Sequence, residues 1–586
     1  MRLRDIIICL LCLLIAVGLL LFAGEKLDYI NAARKEMMLV INEPLENAPP
    51  SLAFATIAMG AFRGLVVDIL WIRAERLKEQ GQFFDAKQLA EWITVLQPRF
   101  ISVWDFHAWN MAYNISVAIP ASEPEQRWQW VKNGYELLRD KAIVINPKSI
   151  LLYRSLAWIF QHKMGGISDD DHKYYKLQLA LAMRPLLGPQ TNEFFQALAD
   201  APQDWAGIMK DPSVGRLVDG LKAADPTFED RDKFVGNYLT LRSTPAKYKP
   251  EAFDVIDQFR GTAALEKFDI FAKAYELRHT WKLEPAFMQQ LNQAYGPPDI
   301  TEPNVRYPLN WEHPDVHAIY WAAMGLKIAR REELSIDEVN TDRIVYHSLQ
   351  NLFRAGKIFI YESPVVVKDS TGSTEDGETS RVVKTVFIRP DLRMFEPYEE
   401  AMFAVIEKYK KLGRDVTSHE VAHRNMMVNA VFSFYQAGHI AKAQQIYNRL
   451  GKLYPRDEFR VPLVVFVRNR LREELKEIGI KDATEMVMLL LREAYFRYAL
   501  RDDDEAFGRE KMAREIFEHY SEKFSDESTE RLELPDFAML RYLALDGFLR
   551  DEMYPPRLRQ NLLGRIKIER PDLFEQLEAQ RRLLLQ

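Results

Sequence analysis

Gly81-Gln82-Phe83-Phe84-Asp85-Ala86, followed by Pro98 and then by Trp104 and Ala108, is the stretch on which the fold turns. It reads as a helix hairpin, a unit that cannot bury its apolar face alone and must stack on neighbours. The same grammar returns more than 350 residues later in Gly438-His439-Ile440-Ala441-Lys442-Ala443, then Tyr447 and Pro455. In both places five residues separate Gly from Ala and twelve separate Ala from Pro. Units that recur over such a distance fit a chain of 586 residues, which is too long for one core.

These spacings resemble the tetratricopeptide (TPR) repeat superfamily. In that pattern a glycine closes the first helix, alanines stand where two helices pass closely, and a proline ends the second helix. Gly81, Ala86, Ala90 and Pro98 take those places here, and Trp104 and Ala108 open the next hairpin. Pro147, Tyr153 and Ala157 continue the series, although 49 residues separate Pro98 from Pro147. The surplus over a repeat of about 34 residues is placed in the polar loop around 120–125. The run Trp71–Asn114, with Gln97-Pro98-Arg99-Phe100 and Phe106-His107-Ala108-Trp109-Asn110, also resembles uncharacterised single-pass, membrane-anchored TPR-like bacterial proteins. What the resemblance implies is a mostly α fold: an irregular TPR-like α-solenoid of helix hairpins whose concave groove binds peptide or protein partners. No Lys/Asn/Arg dicarboxylate clamp maps onto the chain, so no binding residue of the superfamily carries over.

Ile6–Ala23 is 18 residues without a charge, enough for a helix of roughly 27 Å that spans a bilayer core. No small-x-small cleavage pattern follows it, which favours an uncleaved signal anchor over a removed signal peptide. Arg2 and Arg4 before it, and Glu25, Lys26 and Asp28 after it, place the N-terminus in the cytoplasm and the body outside, as a single-pass inner-membrane protein. A second apolar run, Leu52–Ile72, is interrupted by Arg63 and Asp68 and reads as an amphipathic helix opening the body. The organisation expected is an anchor (1–24), a juxtamembrane linker (25–50), N-terminal repeats (51–190) and a helical middle region (191–356). A β-hairpin insert (357–390), C-terminal repeats (391–526) and a helical cap (527–586) complete it. The hairpin is read from two Val/Ile/Phe-rich stretches flanking the Ser/Thr/Gly/Glu-rich 369–380.

A net charge of −6 is of the wrong sign for a phosphate-neutralising protein, so no nucleic-acid partner is expected. The two cysteines, Cys9 and Cys12, both fall in the apolar segment, leaving no thiol for a disulfide or a Cys-based zinc site elsewhere. No phosphate-binding, dinucleotide-binding or nucleophile-elbow motif is present and no cofactor is expected. The partners expected are envelope proteins or peptides, with Trp104, His107, Trp109 and Asn110 as the candidate groove. Seven of the eleven tryptophans lie between Trp71 and Trp158, where they serve either such a groove or the core of the repeats.

His419-Glu420-Val421-Ala422-His423 is a literal HExxH. On a helix its imidazoles can share a zinc ion while Glu420 activates water, so a membrane-bound zinc peptidase is the alternative function. Against it, Thr417 and Glu420 have the spacing of a capping box, and no third ligand is evident. Asp169-Asp170-Asp171-His172, after Gly165-Gly166, lacks EF-hand spacing and reads as a solvated turn before a helix. A glycan-binding tryptophan surface is a weaker alternative.

Overall fold

The computed structural model describes residues 63–299, 302, 304–328, 335–367, 379–437, 439–474, 480–523, 536–551 and 554–584. The apolar segment Ile6–Ala23, the linker after it, residues 52–62, Gly438 and the hairpin tip lie outside them. The protein is mostly helical with a single two-stranded sheet among the described residues. No helix of those residues is long and apolar enough to cross a membrane. The chain divides into two compact units, one ending at Leu156 and one starting at Ala157. The division falls inside a helix, upstream of the boundary at 190 read from the sequence.

In the first unit α1 (Arg63–Glu79) packs on α2 (Phe83–Leu96), and α2 on α3 (Ile101–Trp109). Gly81 sits between α1 and α2 at φ +74°, a left-handed conformation that costs glycine nothing. Its N–H reaches the Lys78 carbonyl at 3.0 Å, and the Gln82 N–H reaches Leu77 at 2.9 Å, which together close α1 in a Schellman turn. Ala86, Ala90 and Ala108 are buried. The Pro98 carbonyl accepts the Trp104 indole N–H at 2.8 Å and the Asn146 amide at 3.0 Å, so the helix-ending proline is also a tie point. Chain continues through a π-helical turn, Asn110–Ile115, to α4 (Pro124–Leu137) and α5 (Ile150–Trp158).

The second unit opens with a π-helical turn, Ile159–Gly165, followed by α6 (His172–Leu187) and α7 (Asn192–Asp200). Next come α8 (Pro212–Ala224), α9 (Arg231–Ser243), α10 (Pro250–Gln258) and α11 (Ala263–His279). These four enclose a core around Leu217, Phe228, Phe234, Tyr238 and Phe268. Pro212 and Pro250 open helices, because the first turn needs no N–H there. Asp211 and Asp230 cap α8 and α9 by accepting backbone N–H groups. Then follow α12 (Pro285–Tyr295), α13 (Pro314–Ile328) and α14 (Ile336–Ala355).

Strands β1 (Lys357–Val367) and β2 (Thr379–Arg389) pair antiparallel from Lys357 opposite Arg389 to Val367 opposite Thr379. The β-hairpin insert is therefore present where the sequence places it. A two-stranded ribbon is marginal alone, and β2 packs on α6 and α14.

Beyond it run α15 (Phe395–Lys411), α16 (Thr417–Gln436), α17 (Ile440–Leu453), α18 (Leu463–Glu474), α19 (Ile480–Ala499) and α20 (Asp503–Lys523). The last helices are α21 (Phe537–Arg550), α22 (Pro556–Glu569) and α23 (Pro571–Leu584). Neighbours in sequence are neighbours in space: α13 with α14, α14 with α15, α15 with α16, α16 with α17, α19 with α20. Leu491, Tyr495, Ile516, Tyr520, Leu545, Phe548, Leu562 and Ile566 form the C-terminal core, so the end of the chain packs on α19 and α20.

Candidate functional site

Trp104, His107, Trp109 and Asn110 share one helical segment, but only Trp109 presents much surface, at 44% exposure, stacked on Tyr113 at 4.0 Å. Trp104 is buried against the Pro98 carbonyl. Asn110 is buried, donates to the Phe83 carbonyl at 2.8 Å and accepts from Asn114 at 3.0 Å. His107 is buried with both ring nitrogens unpartnered. Burial, helped by Lys87 and Lys141, pushes its pKa down to about 3, so the ring is neutral. Three of the four residues thus serve the interior of the first unit.

Of the second repeat signature, Ala443 and Tyr447 are buried on α17, the Tyr447 hydroxyl donates to the Val461 carbonyl at 2.8 Å, and Pro455 is exposed beyond the helix. Gly438 lies outside the described residues.

The HExxH motif lies in the first turns of α16. His419 and His423 are both buried, and burial lowers the pKa of His419. The His419 ring stands edge-on to Tyr409 at 5.1 Å. His423 Nδ1 is 2.7 Å from the Tyr454 hydroxyl, and its Nε2 is 3.6 Å from Oε1 of the buried Glu399. Glu399 in turn accepts from Arg449 at 2.8 Å. Glu420 is 42% exposed and lies 3.1 Å from Lys410. A shared zinc would need a lone pair from each imidazole aimed at one point, with Glu420 beside it. Among the described residues no three His, Cys, Asp or Glu side chains stand together in that way. Thr417 and Glu420 open α16 as their spacing suggests but form no capping box: Asp415 accepts the Thr417 N–H at 3.0 Å and hydroxyl at 2.6 Å, leaving Glu420 for Lys410.

A second constellation, which the sequence does not announce, lies where the π-helical turn 159–165 meets α6, α13 and α14. Lys176 is buried, and its ammonium donates to the carbonyls of Met164 and Gly166, both at 2.8 Å, and contacts His172 Nδ1 at 3.1 Å. Burial pushes Lys176 down to about 8, against the pull of Asp315, and pushes His172 down to about 4. Neutral His172 is the acceptor that the ammonium needs.

Asp315 is fully buried and burial pushes its pKa up to about 7. Its Oδ1 accepts from Asn351 at 3.0 Å, while Oδ2 has no donor and lies 3.5 Å from His313 Nδ1. A Cβ on Gly165 would stand 2.7 Å from that oxygen, so the close approach requires glycine. Gln161 ties the turn to α14 through the Ile344 carbonyl and the Ser348 hydroxyl, both at 2.8 Å. Asp169, expected in a solvated turn, is buried in an ion pair with Lys163 at 2.5 Å. Acid, amine and imidazole are the materials of general acid–base chemistry. Here Lys176 and Asp315 are sealed in, His172 is half-buried, and the group is largely bonded to protein, an arrangement that fixes how four segments meet.

Open surface is found elsewhere. A cleft of about 620 Å³ lies between α19 and α20 and the start of α23. Tyr495, Tyr498 and Phe507 form its aromatic wall, and Lys511, Arg514 and Arg570 its cationic side. Phe507 is 60% exposed. Arg570 is held by Glu510 at 2.7 Å, and Arg514 lies 4.6 Å over the Phe537 ring. A larger cleft of about 800 Å³ between α7 and α11 is lined by Ala197, Pro202, Ile208 and Ile270, with the Lys267–Asp211 pair at its edge. Asp503 and Glu510 also line the cleft between α19 and α20, and Tyr495 is buried, so its solvent-reaching aromatics are Tyr498 and Phe507.

No protein family and no curated protein matches this chain in sequence.

Proposed function

We propose that this chain is a membrane-tethered scaffold, an irregular TPR-like stack of helix hairpins that holds protein or peptide partners at the cell envelope. The observation that carries the reading is the cleft between α19 and α20, where Tyr498 and Phe507 meet solvent beside Lys511 and Arg514. Helices that pair in sequence order and the Schellman turn at Gly81 support the repeat architecture. The charge-free Ile6–Ala23 is the tether in this reading, with the body outside the cytoplasm. Tethering raises the local concentration of whatever docks, so modest affinity per site suffices.

The test is a photo-crosslinking amino acid at Phe507 of the full chain in intact cells. One reproducible envelope protein, lost from the crosslink in an Arg514→Ala background, is the expected result. Crosslinks that are absent, or that ignore Arg514→Ala, overturn the assignment of this cleft.

A further inference from the structure

The first helix of the described protein is apolar on two sides. Its inward side is accounted for: Val67 and Ala74 are buried, and the Trp71 ring lies 5.4 Å from Phe100 and 5.0 Å from Phe106. Its outward side carries Leu65 at 58% exposure, Ile69 at 58% and Ile72 at 62%. Spacings of four and three residues put these three on one stripe. Arg76 continues the stripe one turn further, and Asp68 and Arg73 flank it; all three are exposed. The spacing extends upstream in the sequence through Phe54, Ala58 and Phe62. An apolar stripe on a helix is normally covered, and here only the inward one is covered by the described residues.

We infer that the outward stripe of α1, Leu65, Ile69 and Ile72, lies on the surface of the bilayer that holds the N-terminal segment. The inference rests on the membrane-tether reading above. Only residues 24–62 separate the apolar segment from this helix, so the stripe stays within reach of that bilayer. The nearer part of that stretch is a poor alternative cover, because it carries Glu25, Lys26, Asp28, Arg34, Lys35, Glu36, Glu43 and Glu46. An apolar stripe ending in arginine suits an interface, where the aliphatic groups enter the acyl boundary and the guanidinium reaches back to the headgroups. Asp68 and Arg73, at the edges of the stripe, stay in the headgroup layer.

The experiment uses the full chain with Cys9→Ser and Cys12→Ser, an environment-sensitive fluorophore on Ile69→Cys, and a control on Gln88→Cys. Gln88 is an exposed residue of α2. The protein is reconstituted into phosphatidylethanolamine/phosphatidylglycerol vesicles with and without shallow spin-labelled lipid. Insertion to a depth of roughly 5–10 Å should blue-shift the label at 69 and quench it about twofold, while the label at 88 is unmoved. A blue shift already present in detergent and insensitive to spin-labelled lipid means that protein covers the stripe, and overturns the inference. A label at 69 that stays water-exposed in protein that floats with vesicles after alkaline washing overturns it while sparing the tether. Protein that does not float overturns both.

Discussion

His313-Pro314-Asp315-Val316-His317 and His419-Glu420-Val421-Ala422-His423 share a spacing: two histidines four residues apart with an acid between them. They put it to different uses. In the first, His313 stands just outside α13 and acts as its cap, its Nδ1 accepting the Asp315 N–H at 3.2 Å while its Nε2–H donates to the Ala355 carbonyl at 3.1 Å. Burial, with Lys176 adding to it, pushes His313 down to about 3, which keeps the ring neutral and able to accept. His317 Nε2–H donates to the Trp311 carbonyl at 3.0 Å. The acid follows the cap into the interior. In the second, both histidines already lie within α16, the acid comes one residue after the first of them, and Glu420 turns out to Lys410. A pattern of residue types thus fixes no chemistry until its position on the helix is known.

The comparison is broken most directly at Lys176. Lys176→Met removes the ammonium that ties the end of the π-helical turn to α6 and leaves two carbonyls and Asp315 without it. A loss of about 3–5 kcal/mol is expected, read as a fall in the unfolding midpoint of the second unit in the full chain. Asp315→Asn tests the acid. A carboxyl raised in the folded state binds a proton that the unfolded chain has released, so between about pH 4 and pH 7 the wild type loses stability as pH rises. The difference between wild type and Asp315→Asn should therefore shift by on the order of 3 kcal/mol across that window, with the wild type relatively favoured at the acid end. Denaturant midpoints at pH 4.5 and 7.5 measure it. A difference that does not change with pH would mean that Asp315 is ionised throughout.

Local signals were legible where the physics is local. The glycine at 81 announces a left-handed helix end, and the Val/Ile/Phe-rich stretches on either side of 369–380 announce a hairpin, because turn chemistry and strand patterning act within a few residues. Lys176 and Asp315 were not legible, since α6 and α13 are brought together only by packing and neither residue carries a local mark of burial. Asp169 misled for a related reason: three aspartates in a row suggest a solvated turn, and only the fold reveals Lys163 against the first. The tryptophans misled less, because an aromatic at helical spacing has two ordinary uses, and here Trp104 takes the core while Trp109 keeps a face in solvent.

On the side of α16, Tyr454→Phe leaves His423 Nδ1 buried without its partner at 2.7 Å and should cost about 1–2 kcal/mol. Glu420→Gln should have the smallest effect, within about 0.5 kcal/mol, because its ion pair with Lys410 is nearly half exposed and screened by water. That near-silence is what makes it informative. In a metallopeptidase the same change would leave the fold intact and abolish peptide cleavage, since the carboxylate would be the base that activates water. In the scaffold, crosslinking through Phe507 should persist unchanged, because Glu420 belongs to a surface pair on α15 and α16 and the cleft is built from α19 and α20. Measuring stability, bound zinc, peptide cleavage and crosslinking on this one variant asks whether the second motif is as structural as the first. Cleavage by the wild type that vanishes in Glu420→Gln would separate the two motifs for good, one as a clamp and the other as an active site.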